Sequence, residues 1–272
     1  MATLLAEDFS LDKTLCSGQV FRWQRTPQGF LGTIEESAVL LAQSGRRLTY
    51  SSHDGALKRK TLSRYLGLHH PLKSILSEVS RDARMAEAAR THFGLRVVQA
   101  PRLECLVSFI LSAYSNIPRI TRSLELIARR KSAAITNAGA RCFAFPPRER
   151  LMTLRESTLR SCGLGYRAPY VRKAIIAADQ GFLQDVTELP YLAARDRLKT
   201  LPGVGDKVAD CVLLFSFGFL EAFPIDVWMD RVLARYDAKG SYAAKSAFAR
   251  DYFGRYAGYA QQYLFHNERT TL

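Results

Sequence analysis

Apolar residues in this chain change their spacing once, and that switch limits the architectures open to it. Between residues 20 and 51 they come in short runs parted by turns: Val20 to Gln24, a turn at Thr26-Pro27-Gln28-Gly29, Phe30 to Ile34, Ala38 to Ala42, the Ser44-Gly45 turn, and Leu48 to Tyr50. Runs joined this tightly fold back on one another, so they read as antiparallel strands. From Gly55 onward the spacing is helical, predicting helices over 56–66, 70–79 and 81–92. Beyond Pro101, the run Leu103 to Leu111 is apolar enough for a buried helix, and Pro118 opens another with Ile120, Leu124 and Ile127 on one face. Further helices are predicted near 147–154, 156–162, 168–180, 191–199, 206–217, 227–236, 241–253 and 256–268. No fixed-period repeat or long linker interrupts them. The expected fold is α+β, mainly α: a small N-terminal antiparallel sheet domain over residues 1–95, then a helical region over 96–272 in one or two lobes.

Charge narrows the choice of partner. The 272 residues carry 39 Lys and Arg against 25 Asp and Glu, a net charge of +14. Thirteen basic residues and only three glutamates lie between Arg119 and Lys173, so a local charge of +10 sits in one segment. A basic block of this kind suits a polyanion, because each phosphate neutralised releases condensed counterions. It also suits a solvated basic surface, and composition leaves both readings open. No run approaches the roughly 18 apolar residues of a membrane span, and no basic region precedes an apolar stretch at Met1. A soluble, unexported protein is expected, cytoplasmic in a bacterium or nuclear in a eukaryote. Cys16, Cys105, Cys142, Cys162 and Cys211 lie far apart with no C-x-x-C pair, which speaks against a disulfide framework, a zinc site or an iron–sulfur cluster. The histidines show no metal-binding spacing either, so no catalytic metal or organic cofactor is expected.

The most specific stretch is Leu201-Pro-Gly-Val-Gly-Asp-Lys-Val-Ala-Asp210, between a helix ending near Thr200 and the apolar helix that follows. Pro202 stops the first helix, and Gly203 and Gly205 let the backbone approach a ligand closely. Amides at the start of the second helix can then bind a phosphate without reading a base. This is the layout of a helix-hairpin-helix, here over about 191–217, although the same turn also serves as a plain packing corner. Lys207 lies in the first turn of the second helix, where the dipole disfavours a cation. A lysine desolvated or set near positive charge gives up its proton more readily and can act as a nucleophile. Asp226, in Phe223-Pro-Ile-Asp-Val-Trp, stands before a periodic apolar helix and reads as its N-cap. Capping also fixes the direction of a carboxylate.

Taken together, these elements resemble the helix-hairpin-helix DNA glycosylase superfamily and, more narrowly, its 8-oxoguanine DNA glycosylase/AP lyase branch. The matching stretches are Ser17-Gly-Gln-Val-Phe-Arg-Trp23, Glu104 to Ile110, Asn116-Ile-Pro-Arg-Ile120, Gly163-Leu-Gly-Tyr-Arg-Ala168, Leu201 to Cys211, Pro224-Ile-Asp-Val227 and Tyr256 to Phe265. They follow the family's order and span most of the chain. The resemblance implies a monomeric base-flipping enzyme acting on duplex DNA that contains 8-oxoguanine, in which the lesion leaves the stack for a pocket in the helical region. It makes Lys207 the nucleophile at the sugar C1′, with β-elimination after base loss, and Asp226 the carboxylate that stabilises charge on the sugar.

The resemblance also assigns a base-recognition set. Gly18 supplies a carbonyl to the N7–H of 8-oxoguanine, Gln261 and Phe265 bond and stack the base, and Cys211 lines the pocket. Tyr166 and Arg167 reach into the duplex, while Asn116 and Arg119 lie near the orphaned cytosine. Gly203, Val204 and Gly205 contact phosphate, and the carbonyls of Lys199, Leu201 and Val204 hold a monovalent cation.

The chain departs from the family at three places. Tyr114 replaces an asparagine that reads cytosine, Trp228 replaces a histidine, and Glu268 stands where an aspartate partners that histidine. An aromatic ring at 114 can stack but cannot offer the same hydrogen bonds, so strict selection for cytosine is in question. Two rival readings are a monofunctional alkylated-base glycosylase using Asp226 alone and a non-catalytic DNA-binding module. The joint presence of Lys207 and Asp226 speaks against both.

Overall fold

A computed structural model describes residues 1–137 and 139–270 of the chain. The chain begins with β1 (Ala2–Leu5) and the short helix α1 (Leu11–Leu15), followed by β2 (Gln24–Thr26), β3 (Gly29–Ile34), β4 (Ser37–Ser44) and β5 (Arg47–Ser52). These form one antiparallel sheet in the order β1-β5-β4-β3-β2. The register pairs Phe30 with Leu41 and Leu41 with Tyr50. The meander expected from the sequence is present, with β1 added beside β5 through Leu4 and Leu48. Four residues are too few to show a period, so β1 was not legible in advance.

The strand expected from Val20 begins only at Gln24. Its first residues are drawn out of the ladder by the helices. Phe21 packs edge-on against Phe109, with ring centroids 5.6 Å apart, and its carbonyl accepts the Thr121 hydroxyl at 2.9 Å. Arg22 bonds the Phe143 carbonyl and lies 3.5 Å from Glu104, while Trp23 donates its indole N–H to the Tyr65 hydroxyl at 2.8 Å. The segment ties the sheet to the helical part.

Helices α2 (Arg59–Tyr65), α3 (Leu72–Val79) and α4 (Ala83–Thr91) follow, then the long pair α5 (Arg102–Ser112) and α6 (Ile117–Lys131). A hairpin not foreseen from the sequence, β6 (Ala134–Asn137) and β7 (Ala140–Phe143), comes next. Its strands lie against β4 and β3, and the Asn137 side chain donates to the Ala38 carbonyl at 3.1 Å. Cover on both faces explains why β3 is buried from Phe30 to Ile34 without alternation.

The rest is helical: α7 (Arg148–Met152), α8 (Glu156–Leu159), α9 (Ala168–Asp179), α10 (Phe182–Thr187), α11 (Tyr191–Lys199), α12 (Asp206–Val212), α13 (Val227–Ala234), α14 (Tyr242–Phe253) and α15 (Ala257–Thr270). Helix α5, buried without a break from Cys105 to Leu111, forms the axle and packs on α6, α9 and α12. Residue 95 falls in the link between α4 and α5, and one hydrophobic core continues across it. Helix α15 spans that division, packing on α3 and α4 as well as on α13 and α14. Several bonds fix it to the N-terminal unit, among them Gln262 Nε2 donating to the Ser17 carbonyl at 3.0 Å and the Tyr263 hydroxyl donating to the Leu95 carbonyl at 2.9 Å. The loop carrying Gly18 is thereby pinned to the helix carrying Gln261 and Phe265. Among the described residues no helix is long and apolar enough to cross a membrane.

Candidate active site

The hairpin joins α11 to α12. Gly203 has φ +84°, and a Cβ there would meet the Tyr170 ring at 2.6 Å, so only glycine fits. Buried Leu201 and Val204 anchor the turn, with the Val204 amide donating to the Leu201 carbonyl at 3.0 Å. Gly205 is the N-cap residue of α12 and supplies no side-chain cap, so the first amides of that helix are left open to an incoming anion.

In the first turn of α12, Lys207 Nζ donates to Ser112 Oγ at 3.1 Å and lies 5.1 Å from the centre of the Phe109 ring. That ring is stacked on Phe215. Ser112 ends α5, so the axle helix supplies the partner that aims the amine. A further turn along α12, Cys211 is buried beside Lys207, and burial pushes its thiol up to about 12 against the lowering influence of the Lys207 charge. The thiol therefore stays protonated at neutral pH and offers the cleft an uncharged wall. The negative charge of Asp226 also acts on this thiol and helps to raise it. As the N-cap of α13, it accepts the amides of Trp228 at 3.0 Å and Met229 at 2.9 Å on Oδ1. The cap holds one oxygen and orients the other.

A buried hub, not anticipated from the sequence, links these two groups. Asp210, on α12 three residues after Lys207, accepts the Tyr191 hydroxyl at 2.8 Å and the Tyr242 hydroxyl at 2.7 Å, and Arg195 Nε lies 3.0 Å away. Burial raises its carboxyl above the ordinary range, while Tyr242, Arg195 and Tyr191 pull it back. The Tyr242 oxygen also accepts the Ile225 amide at 3.2 Å. A continuous chain of hydrogen bonds thus runs from the lysine helix to the residue preceding Asp226.

A second cluster of the expected residues is formed by the Gly18 loop and α15. Gly18 has φ +84°, and a Cβ there would lie 3.5 Å from the Phe265 ring and 3.0 Å from Arg269 Nη1. Gln261 is buried on the same helix, and its Oε1 has no hydrogen-bond partner among the described residues. An orphaned buried carbonyl is costly unless something supplies a donor. Glu268, expected opposite residue 228, instead forms a two-pronged pair with Arg235 at 2.7 and 2.8 Å. Trp228 lies under the Arg231 guanidinium.

Two exposed tyrosines mark the rim. Tyr114 is 95% exposed in the left-handed region with φ 48°, and Tyr166 is 51% exposed. Arg167 turns inward: it is buried, donates to the Ala113 carbonyl at 3.0 Å and the Tyr114 carbonyl at 3.1 Å, and lies over the Tyr166 ring. In this structure it holds the rim loop and does not project from it. Asn116 caps α6 by accepting the Arg119 amide at 3.0 Å, leaving the Arg119 side chain exposed beside Tyr114. A separate cavity of about 790 Å³, lined by α2 and the segment after α12, touches neither Lys207 nor Asp226.

A helical hairpin carrying a lysine, followed by a helix-capping aspartate, in a chain that opens with a small antiparallel sheet, is the architecture of the helix-hairpin-helix DNA glycosylases. Residues 2–106 match the family model for the 8-oxoguanine DNA glycosylase N-terminal domain. The chain is 32% identical over 281 residues to the N-glycosylase/DNA lyase OGG1 of Arabidopsis thaliana, covering 95% of this chain and 77% of the relative. It is 37% identical over 199 residues to a probable N-glycosylase/DNA lyase of Methanothermobacter thermautotrophicus, covering 65% of this chain and 64% of that protein. The crystal structure of Clostridium acetobutylicum 8-oxoguanine glycosylase/lyase, in complex with dsDNA containing cytosine opposite 8-oxoG, superposes with a TM-score of 0.90 at 27% identity, covering 100% of this chain and 98% of that one. The chain belongs to the 8-oxoguanine DNA glycosylase family.

Proposed function

We propose that the protein, acting as a monomer, removes 8-oxoguanine from duplex DNA and then cuts the strand. The observation that carries this reading is a lysine held by Ser112 over the Phe109 ring in the first turn after the hairpin, joined through Asp210, Tyr242 and the Ile225 amide to the helix-capping Asp226. In the reaction, the lone pair of Lys207 Nζ attacks the sugar C1′ as the C1′–N9 bond breaks, and the base leaves with the bonding electrons. The carboxylate of Asp226 stabilises positive charge on the sugar in that step. One proton of the alkylated amine passes to the departing base, the nitrogen lone pair then opens the ring to a protonated Schiff base as O4′ takes a proton from water, and loss of a 2′ proton to water expels the 3′ phosphate by β-elimination.

Before chemistry, the basic block collects the duplex, and the amides around Gly203, Val204 and Gly205 take a phosphate. The Lys199, Leu201 and Val204 carbonyls are hard oxygen donors suited to a monovalent cation at that point; the Leu201 oxygen keeps a second lone pair beyond the Val204 amide it accepts. Tyr114 and Tyr166 fill the gap left by the extruded nucleotide, with Arg119 on the side of the orphaned base. Arg167 serves by fixing the Tyr114 loop. Gly18, Gln261 and Phe265 receive the base.

A duplex with one 8-oxoguanine opposite cytosine tests the reading: free 8-oxoguanine and a break 3′ to the lesion should appear together. Base release with an intact strand would refute the lyase step, and no release would refute the function.

A further inference from the structure

We propose that Arg269 is an additional base-recognition residue, donating from its guanidinium to the exocyclic oxygen next to the ring N–H that the Gly18 carbonyl accepts. The proposal rests on the function argued above. Gln261, Phe265 and Arg269 are spaced by four residues on α15, so they share one face of the helix. The Arg269 guanidinium lies 5.3 Å from the centre of the Phe265 ring. Its Nη1 comes within 3.0 Å of the position a Gly18 Cβ would take, and that nitrogen is buried with no hydrogen-bond partner among the described residues.

Two unmet groups thus lie on this face of α15: an acceptor on Gln261 and a donor on Arg269. An oxidised purine stacked on Phe265 offers complementary chemistry, with N–H donors along its edge and carbonyl oxygens beside its N7–H. A phosphate contact would need the head exposed to the duplex; a buried Nη1 against the Gly18 loop argues for the base itself. A hydrogen bond from a charged donor at such a site is worth roughly a tenfold to hundredfold change in binding.

The test compares Arg269→Met and Arg269→Lys with the unaltered enzyme on two duplexes, one carrying 8-oxoguanine and one carrying a preformed abasic site. Abasic DNA has the phosphates but no base. We expect KM for 8-oxoguanine excision to rise about tenfold or more in Arg269→Met, with partial recovery in Arg269→Lys and unchanged cleavage of the abasic duplex. Equal loss on both duplexes would assign Arg269 to the backbone and overturn the proposal, as would unaltered excision by Arg269→Met. Failure of the unaltered enzyme to release 8-oxoguanine would instead refute the underlying function, so the two failures are distinguishable.

Discussion

The wall that carries Lys207 and Asp226 and the rim that carries Tyr114 and Tyr166 are built on opposite principles. Lys207 and Asp226 stand on helices joined by Asp210, Tyr242 and the Ile225 amide, a buried chain whose polar atoms are bonded to one another. Tyr114 is almost fully exposed on a turn whose carbonyls Arg167 grips, and Tyr166, half-exposed, has only the Arg167 guanidinium and the edge of Tyr170 against its ring among the described residues. The proposed attack on an anomeric carbon tolerates little displacement, and a pair fixed from inside the core suits it. Filling a gap in a duplex needs large apolar faces that settle against whatever bases are present, and exposure leaves the rings free to do so.

The comparison can be broken at several depths. The largest effect is expected for Asp226→Asn, which keeps the N-cap but loses the charge. Excision should slow by about a hundredfold to a thousandfold, with thermal stability nearly unchanged and lesion binding retained. Next is Tyr242→Phe, which deprives buried Asp210 of a donor and releases the Ile225 amide. Stability should fall by about 1–3 kcal/mol, and the single-turnover rate by about tenfold at unchanged KM. A normal rate in that variant would show that the buried chain does not position Asp226. Tyr114→Ala should leave the saturated rate intact while weakening lesion-duplex binding by about 1–3 kcal/mol. Rates opposite C, A, G and T should also lie closer together in the unaltered protein than in Tyr114→Asn; an undiminished preference for cytosine with tyrosine in place would oppose a stacking rim.

How far the sequence revealed these features follows the same division. Lys207 and Asp226 were legible because each sits on a local rule, one in a glycine turn opening a helix and the other at an N-cap position. Most of the helices were legible by period, within a few residues at their ends, but the short α1 and α10 were not, because five or six residues show too little of a period. The partners that aim the reacting groups were not: Ser112 meets Lys207 across 95 residues, and Tyr242 meets Asp210 across 32, so neither pairing leaves a local pattern. The hairpin of β6 and β7 escaped for a related reason, since its stability comes from the sheet face it covers. Val20 to Trp23 misled because strand-like residues there are committed to contacts with distant helices.

The central claim is that the Lys207 amine bonds covalently to the sugar. Borohydride added during turnover of an 8-oxoguanine duplex should reduce the Schiff base and leave a stable protein–DNA adduct, with the crosslinked peptide containing residue 207. Lys207→Gln should give neither adduct nor excision. An adduct mapped to another residue, or excision persisting in Lys207→Gln, would contradict the account.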